Sequence, residues 1–260
     1  MTYFIYQSDP WLFVAVMLAV LALAIELPYR IFAGYFSRSK QKTDPLNALQ
    51  AGILTLSAFV LSLSFSQAQA RFDARRALVV TEANAIGTTW LRADSLEPAQ
   101  SKRFRQILTD DIEARVAAYG APRNPELYGQ SIDRSSHDQD ELWTIASSAL
   151  RARETLGLSQ LRQSLNDTID VAAQQRQSIA SKVPTQVTTL TLLLVILGAI
   201  SLGIRFALDG VRPAMMSAIY VVAYVVVISM MVEYDRQDTG LIKVSLTPLT
   251  LQMQAMEHAR

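Results

Sequence analysis

Few side chains in this sequence lie close enough together to suggest chemistry. Among the close acidic pairs are Asp110 with Asp111 and Asp235 with Asp238. A calcium site needs several oxygen ligands around a turn, and a solvated turn that pairs with Arg236 or a neighbouring basic residue explains the second pair better. The sequence contains no phosphate-binding glycine loop, no His-Glu-x-x-His and no nucleophile elbow. We therefore expect no enzyme, no catalytic residues, no metal site and no cofactor.

A second set of polar side chains begins inside an apolar run. Its members recur at spacings of three and four, so they share one face of a helix: Thr55, Phe59, Ser62, Ser66, Gln69, Asp73 and Arg76. An unpaired polar group in hydrocarbon costs free energy, so hydroxyls in lipid turn toward protein or water. This face therefore either packs on another helix or lines an aqueous path, and both interpretations stay open.

One long helix must carry this face. Residues 46–94 contain no proline, and they contain no glycine between Gly52 and Gly87. The first half is apolar and the second half is polar. We expect a helix that leaves a membrane without stopping and continues into water.

The rest of the chain is built from similar blocks. Half of its residues are apolar, and they concentrate near 11–27, 46–65, 185–204 and 214–232. Each run is long enough to cross a hydrocarbon core of ~30 Å with help from flanking residues. We expect an all-α protein with four transmembrane helices and a helical extramembrane domain inserted between the second and third spans. The predicted bounds are 1–66 for the first two spans, 67–183 for the domain, 184–232 for the last two spans and 233–260 for a tail packing on the domain.

Period-3.6 apolar stripes predict that the inserted domain is a helix bundle. They consist of Phe104, Ile107, Leu108, Ile112, Val116 and Tyr119, and of Leu158, Leu161, Leu165, Ile169, Ala172, Ile179 and Val183. Residues 120–125 are predicted to break the helices, and 133–140 to form a polar loop. In the third span, Gly198 and Gly203 are expected to permit close helix approach. Pro248 opens a predicted last amphipathic helix.

The membrane orientation is left open by the charges. The short loops 30–45 and 205–213 are net positive, which places them in the cytoplasm and the inserted domain outside. Arg71, Arg75 and Arg76, beside the second span, equally mark a cytoplasmic face. The first span lacks a basic leader and is expected to be retained. The net charge of +1 gives no argument for nucleic acid as a partner.

Glu26 is a carboxylate inside an apolar run, where a charge is costly unless it is paired, hydrated or protonated. It is interpreted as an intramembrane carboxylate with two alternatives. The first is an interfacial Glu26 that pairs with Arg30, four residues later. The second is a contact with an ion path or with another helix.

Two motifs carry a resemblance to a known family. The first runs from Arg71-Phe72-Asp73-Ala74-Arg75-Arg76 to the segment Glu82–Asp94, and the second is the segment Asp235–Val244. With four spans and a helical insert, the sequence resembles the bestrophin-like domain family of bacterial membrane proteins, over most of the chain. The motif residues are Glu82, Asn84, Gly87, Arg92, Asp235, Arg236 and Gly240.

The resemblance implies a function, because bestrophins are pentameric anion channels whose second span lines the pore. The implied pore-lining residues are Thr55, Phe59, Ser62, Phe65, Ser66 and Gln69, and the implied mouth charges are Arg71, Asp73, Arg75 and Arg76. The partners would be the lipid bilayer, identical copies in a ring such as a pentamer, and small inorganic anions, in the bacterial inner membrane. The alternative is a non-conducting, membrane-anchored helical sensor or scaffold.

Overall fold

The computed structural model describes residues 8–36, 44–121, 124–181, 183–236 and 242–258. Within these ranges every regular element is helical, which confirms the all-α class. In chain order the helices are α1 (Pro10–Phe36), α2 (Asp44–Arg92), α3 (Pro98–Gly120), α4 (Pro125–Ala152), α5 (Leu156–Ala180), α6 (Thr185–Asp209), α7 (Ala214–Asp235) and α8 (Thr247–His258). A 3-10 turn, Ala93–Ser95, follows α2.

Four ranges are long and apolar enough to supply a helix that crosses a membrane: Pro10–Gly34, Asn47–Ser95, Leu156–Asp209, which includes the separate helices α5 and α6, and Ala214–Asp235. They contain the four apolar runs of the sequence, so the predicted candidate spans are confirmed. The uninterrupted helix predicted for residues 46–94 is also confirmed, because α2 runs for 49 residues. Its length follows from the absence of proline after Pro45, since an interior proline would break the helical hydrogen bonds.

The chain divides into two compact units. Unit 1 comprises Met1–Phe72 and Lys182–Ile242, and unit 2 comprises Asp73–Ser181 and Lys243–Arg260. The predicted tail is divided between them, because Glu233 belongs to unit 1 and α8 to unit 2.

Unit 1 is held together by close approach of its helices. Its core contains Leu21 of α1, Val195 and Ala199 of α6 and Ile228 of α7, all fully buried. At Gly203 of α6, an added Cβ would lie 2.2 Å from the carbonyl oxygen of Ile25. The expectation that glycine permits close approach is confirmed, because no larger residue fits this contact without a backbone shift.

Unit 2 has its own core, formed by the second half of α2 with α3, α4, α5 and α8. The two apolar stripes supply its centre, including Phe104, Leu108, Leu161 and Leu165. The last helix adds its buried Leu249 and Met256. The predicted amphipathic helix is therefore confirmed as α8.

The loop prediction for residues 133–140 is wrong, because this segment lies inside α4. It contains many polar residues but neither proline nor glycine, so nothing in it stops a helix. Ser135 and Gln139, one turn apart, are buried, and Gln139 donates a hydrogen bond to Ser135 at 2.9 Å. The predicted break is correct, since α3 ends at Gly120 and α4 starts at Pro125.

Candidate functional site

The predicted polar face of α2 lies mostly on the outside of the chain. Its members within unit 1 are exposed, and we call them the outer flank: Thr55, Phe59, Ser62, Ser66 and Gln69. Phe59 is 58% exposed, a high value for an aromatic residue. The outer flank is therefore open to lipid, to water or to another copy of the chain.

Phe65 lies apart from this flank. Its side chain is half-buried and packs against the core of unit 1. Its ring meets the ring of Tyr234 edge-on, with 5.7 Å between centroids, and Phe72 approaches the same tyrosine at 5.3 Å. Phe59 is thus the aromatic side chain that the outer flank presents.

Two hydroxyls that the sequence interpretation missed lie on the inner side of α2. Ser57 is 3.1 Å from the Tyr224 hydroxyl, and Ser64 is 2.7 Å from Thr191. Both serines are buried and also donate to carbonyls of the preceding turn, as lipid-embedded serines commonly do. The seven-residue spacing of Ser57 and Ser64 is the signal that could have identified a second, inward face. Ser57 and Ser64 therefore pack against other helices of unit 1, whereas the outer-flank hydroxyls of the same helix are exposed.

The expected mouth charges have different environments. Asp73 and Arg76 are exposed, and Arg71 is half-buried. Arg75 is only 4% exposed, and its guanidinium donates to the carbonyl oxygens of Ser178 at 3.3 Å and Ser181 at 2.8 Å. These carbonyls lie at the C-terminal end of α5, where a cation complements the helix dipole. Arg75 is thus occupied within unit 2 and is not a charge facing solution.

A network of buried charges lies inside unit 2. Arg115 donates from Nη1 to Glu82 Oε1 at 3.0 Å and from Nε to Asp111 Oδ1 at 3.0 Å. These three side chains, which we call the buried ion-pair cluster, are at most 1% exposed. The Tyr119 hydroxyl donates to Glu82 at 3.2 Å, and the Ser135 hydroxyl donates to Asp111 at 2.5 Å. The cluster joins α2 to α3 and, through Ser135, to α4.

The cluster keeps Arg115 charged. Burial alone lowers the pKa of Arg115, but the carboxylates of Asp111 and Glu82 outweigh burial and raise it above its ordinary value. Burial and the charge of Glu82 raise the pKa of Tyr119, so the phenol stays a hydrogen-bond donor. Two carboxylates face one guanidinium, so their charges are not fully balanced.

Asp138 on α4 gives a testable pH dependence. Burial, followed by the nearby charge of Asp111, raises the pKa of Asp138 above its ordinary value. A carboxyl whose folded-state pKa is raised loses stability as pH rises from its unfolded pKa through its folded pKa. We therefore expect Asp138→Asn to raise the unfolding temperature at neutral pH, with a gain that shrinks in acid and vanishes below pH ~3, where both states are protonated.

Thermal unfolding between pH ~3 and pH ~8 measures this effect. Asp140→Asn, at an exposed position of the same helix, is the matched control and should change little at any pH. An Asp138→Asn gain that persists unchanged into acid would contradict the electrostatic cause.

The family-motif residues of α2 hold unit 2 together. Gly87 faces α8, and an added Cβ would lie 3.1 Å from the side-chain amide of Gln252. Arg92 donates to the Gln160 carbonyl at 3.0 Å. Glu82 belongs to the buried ion-pair cluster, whereas Asn84 is exposed. The motif residues Glu82, Gly87 and Arg92 therefore make contacts within unit 2.

The tail-motif residues do the same for unit 1. Both carboxylate oxygens of Asp235 accept from the Val183 amide, at 3.0 and 3.1 Å, just before α6. Arg236 is 3% exposed, and its guanidinium lies 5.4 Å from the ring centroid of Phe13. It also donates to the Ser8 hydroxyl at 3.3 Å. Gly240 lies outside the described residues.

The predicted pairing of Glu26 with Arg30 is confirmed, with 2.7 Å between Nε and Oε1. The structure adds Arg212, whose Nη2 lies 2.6 Å from the same oxygen. Anywhere in the described ranges, no group of three or more His, Asp or Glu side chains is placed so that it could hold a metal ion.

The helices define a membrane protein with four candidate spans. No model of a protein family and no curated protein matches the sequence. Solved structures do match. One bacterial bestrophin homologue from Klebsiella pneumoniae is 15% identical with a TM-score of 0.68, and the match covers 97% of each chain. A second bestrophin homologue structure from that organism is 16% identical with a TM-score of 0.64, covering 92% of this chain and 95% of the other.

A crystal structure of a membrane protein is also similar, at 13% identity and a TM-score of 0.69, covering 94% of this chain and 98% of that one. Likeness at such low identity is a statement about fold. The chain has the fold of the bacterial bestrophin homologues, and the resemblance drawn from the two motifs is confirmed at that level.

Proposed function

We propose that this chain is a subunit of an oligomeric ion channel in the bacterial inner membrane. Copies of α2 would surround a path that passes small inorganic anions. The observation that carries the proposal is the outer flank, whose hydroxyls and Phe59 lie outside the core of unit 1. Facing lipid, these hydroxyls could bond only to carbonyls of their own helix, whereas a ring of copies turns them toward water. The fold shared with bestrophin homologues supports the same arrangement.

The proposed architecture assigns a place to each part of the chain. Residues 1–66 and 184–232 supply four spans, and residues 67–183 form an extramembrane helical domain inserted between the second and third. The tail, 233–260, completes both units. The ring has five copies, as the resemblance implies, and each copy is multi-pass.

In the proposed mechanism the outer flank controls passage. Phe59 rings from all copies narrow the path, and an apolar constriction resists wetting. Ser62 and Ser66 replace part of the hydration shell of the ion. Arg76 and Arg71 raise the local anion concentration, while Asp73 opposes them.

Flux from liposomes that contain the purified protein tests the proposal. We expect wild-type protein to release chloride and Phe59→Ala to release it faster, because the constriction is wider. We expect Asp73→Asn to favour anions over cations and Arg76→Gln to do the reverse. The matched control is Leu193→Ala on α6, which shortens another exposed apolar side chain of a span.

Two results would contradict the channel. One is the absence of any ion flux from protein that is intact and oligomeric, which would leave the membrane-anchored sensor or scaffold. The other is a flux that Phe59→Ala and Leu193→Ala change equally, because α2 would then have no special place around the path.

A further inference from the structure

One charged group in unit 1 has no role in the proposed channel. It consists of Glu26 and Arg30 of α1 with Arg212, and we call it the arginine clamp. Both arginines donate to Glu26 Oε1, at 2.7 Å from Arg30 and 2.6 Å from Arg212. The guanidinium of Arg212 also lies 5.9 Å from the ring centroid of Tyr29. Two guanidiniums and one carboxylate leave a formal charge of +1.

A tight turn builds the clamp. Gly210 adopts φ 65° and ends α6, and the Val211 amide donates to the Phe206 carbonyl at 3.3 Å. A positive φ is easily reached only by glycine. The chain then reverses into α7, and Arg212 comes back to a carboxylate 186 residues earlier. The position of Arg212 is thus fixed by backbone geometry on one side and by an ion pair on the other.

The clamp still has hydrogen-bonding capacity. The side chains of Arg30 and Arg212 are 70% and 60% exposed. Within the described residues each guanidinium gives Glu26 one hydrogen bond, and a guanidinium carries several further N–H donors. Those donors form a planar fork that matches two oxygens of a phosphate.

Exposed apolar stripes lead away from the clamp on both helices. On α1 they are Leu23 and Leu27, and on α7 they are Met215, Ile219 and Val222. Their spacings of three and four place each set along one side of its helix. Arg30 follows Leu27 at the end of the α1 stripe, and Arg212 precedes Met215 at the start of the α7 stripe. Cationic donors beside exposed apolar side chains fit a molecule with an anionic head and hydrocarbon chains.

We propose that the arginine clamp binds the headgroup of one net-negative phospholipid, with acyl chains along the stripes of α1 and α7. The phosphate oxygens accept from N–H groups of Arg30 and Arg212 that Glu26 leaves free. The negative charge of the lipid complements the +1 of the clamp, which a zwitterionic lipid does not do. Glu26 pre-orients the two guanidiniums and at the same time limits the affinity.

Lipid binding to the full-length protein in neutral detergent tests the site. Phosphatidylglycerol, phosphatidylcholine of the same chain length and inorganic phosphate are titrated separately. Bound lipid is read by native mass spectrometry and stability by the unfolding temperature. We expect phosphatidylglycerol to bind more tightly and to raise the unfolding temperature more than phosphatidylcholine, and inorganic phosphate to leave it unchanged.

Variants separate this site from a merely structural ion pair. We expect Arg30→Gln or Arg212→Gln to weaken phosphatidylglycerol binding about fivefold each. Glu26→Gln should strengthen it, since it frees donors and removes a negative charge. If the clamp were only a structural ion pair, the arginine variants and Glu26→Gln would not change phosphatidylglycerol binding in opposite directions. Arg205→Gln is the matched control, because Arg205 is another unit 1 arginine, paired with Asp209 at 2.9 Å, and its loss should not change the lipid preference.

Three results would overturn the proposal. Equal binding of the two lipids would remove the requirement for net charge. An Arg205→Gln loss as large as that of Arg212→Gln would show diffuse attraction instead of a site. Stabilisation by inorganic phosphate equal to that by phosphatidylglycerol would assign the clamp to the free anion. All three outcomes are independent of whether the protein conducts ions.

Discussion

Arg115→Met is expected to lower the free energy of unfolding by about 3–5 kcal/mol, because it leaves two buried carboxylates without their cation. Glu82 and Asp111 are fully buried, and Arg115 is the cation that contacts both. Without it, each carboxylate must either stay charged in a medium of low polarity or bind a proton. The loss should therefore shrink at acid pH, where protonation is easier. Unfolding of the purified protein, followed by intrinsic fluorescence at several pH values, measures the change.

Arg103→Met is the matched control for this prediction. Arg103 lies on the same helix and pairs with Glu141 at 2.8 Å, but its side chain is 59% exposed. An exposed pair contributes at most about 1 kcal/mol, so this variant should unfold almost like wild type. Adding Glu82→Gln to Arg115→Met should restore part of the lost stability. Equal destabilisation by the two arginine variants would mean that water reaches the cluster.

The second large effect is expected at Gly203. Gly203→Ala places a methyl group 2.2 Å from the Ile25 carbonyl oxygen, a backbone atom that cannot rotate away. Helices α1 and α6 must then separate, and overpacking of this kind costs about 1–3 kcal/mol. The unfolding temperature of the detergent-solubilised protein reports the loss.

Gly52→Ala is the same substitution at another position, and we expect it to change stability in the opposite direction. Gly52 is a helix-interior glycine of α2 with no atom within 4 Å of the added Cβ. Alanine is the better helix former there, so the variant should be slightly more stable, by roughly 0.5–1 kcal/mol. If both variants lower stability alike, steric contact at Gly203 is not the cause.

Periodic features of the fold were predictable from the sequence. The spans, the unbroken α2 and the Phe104 and Leu161 stripes each repeat within a few residues, so local spacing is enough to find them. The polar segment 133–140 was misassigned because its polarity suggested a loop, although no residue in it breaks a helix. Its buried Ser135 bonds Asp111 on another helix, a contact that local pattern does not show.

The environments of individual side chains were less predictable, because they depend on partners distant in sequence. Glu82 was recognised as a motif residue, but its partner Arg115 lies 33 residues away. Arg212 reaches Glu26 across 186 residues. Ser62 and Ser64 are near neighbours of the same type, yet Ser62 is exposed whereas Ser64 is buried against Thr191.

The bond between Val183 and Asp235 has a consequence for biosynthesis. The amide that precedes α6 is capped by a carboxylate that the ribosome adds 52 residues later. During translation the Val183 amide therefore has no such acceptor until the whole of α7 has been made. We therefore expect a chain truncated before Asp235 to leave the junction that leads into α6 less ordered than it is in the full-length protein.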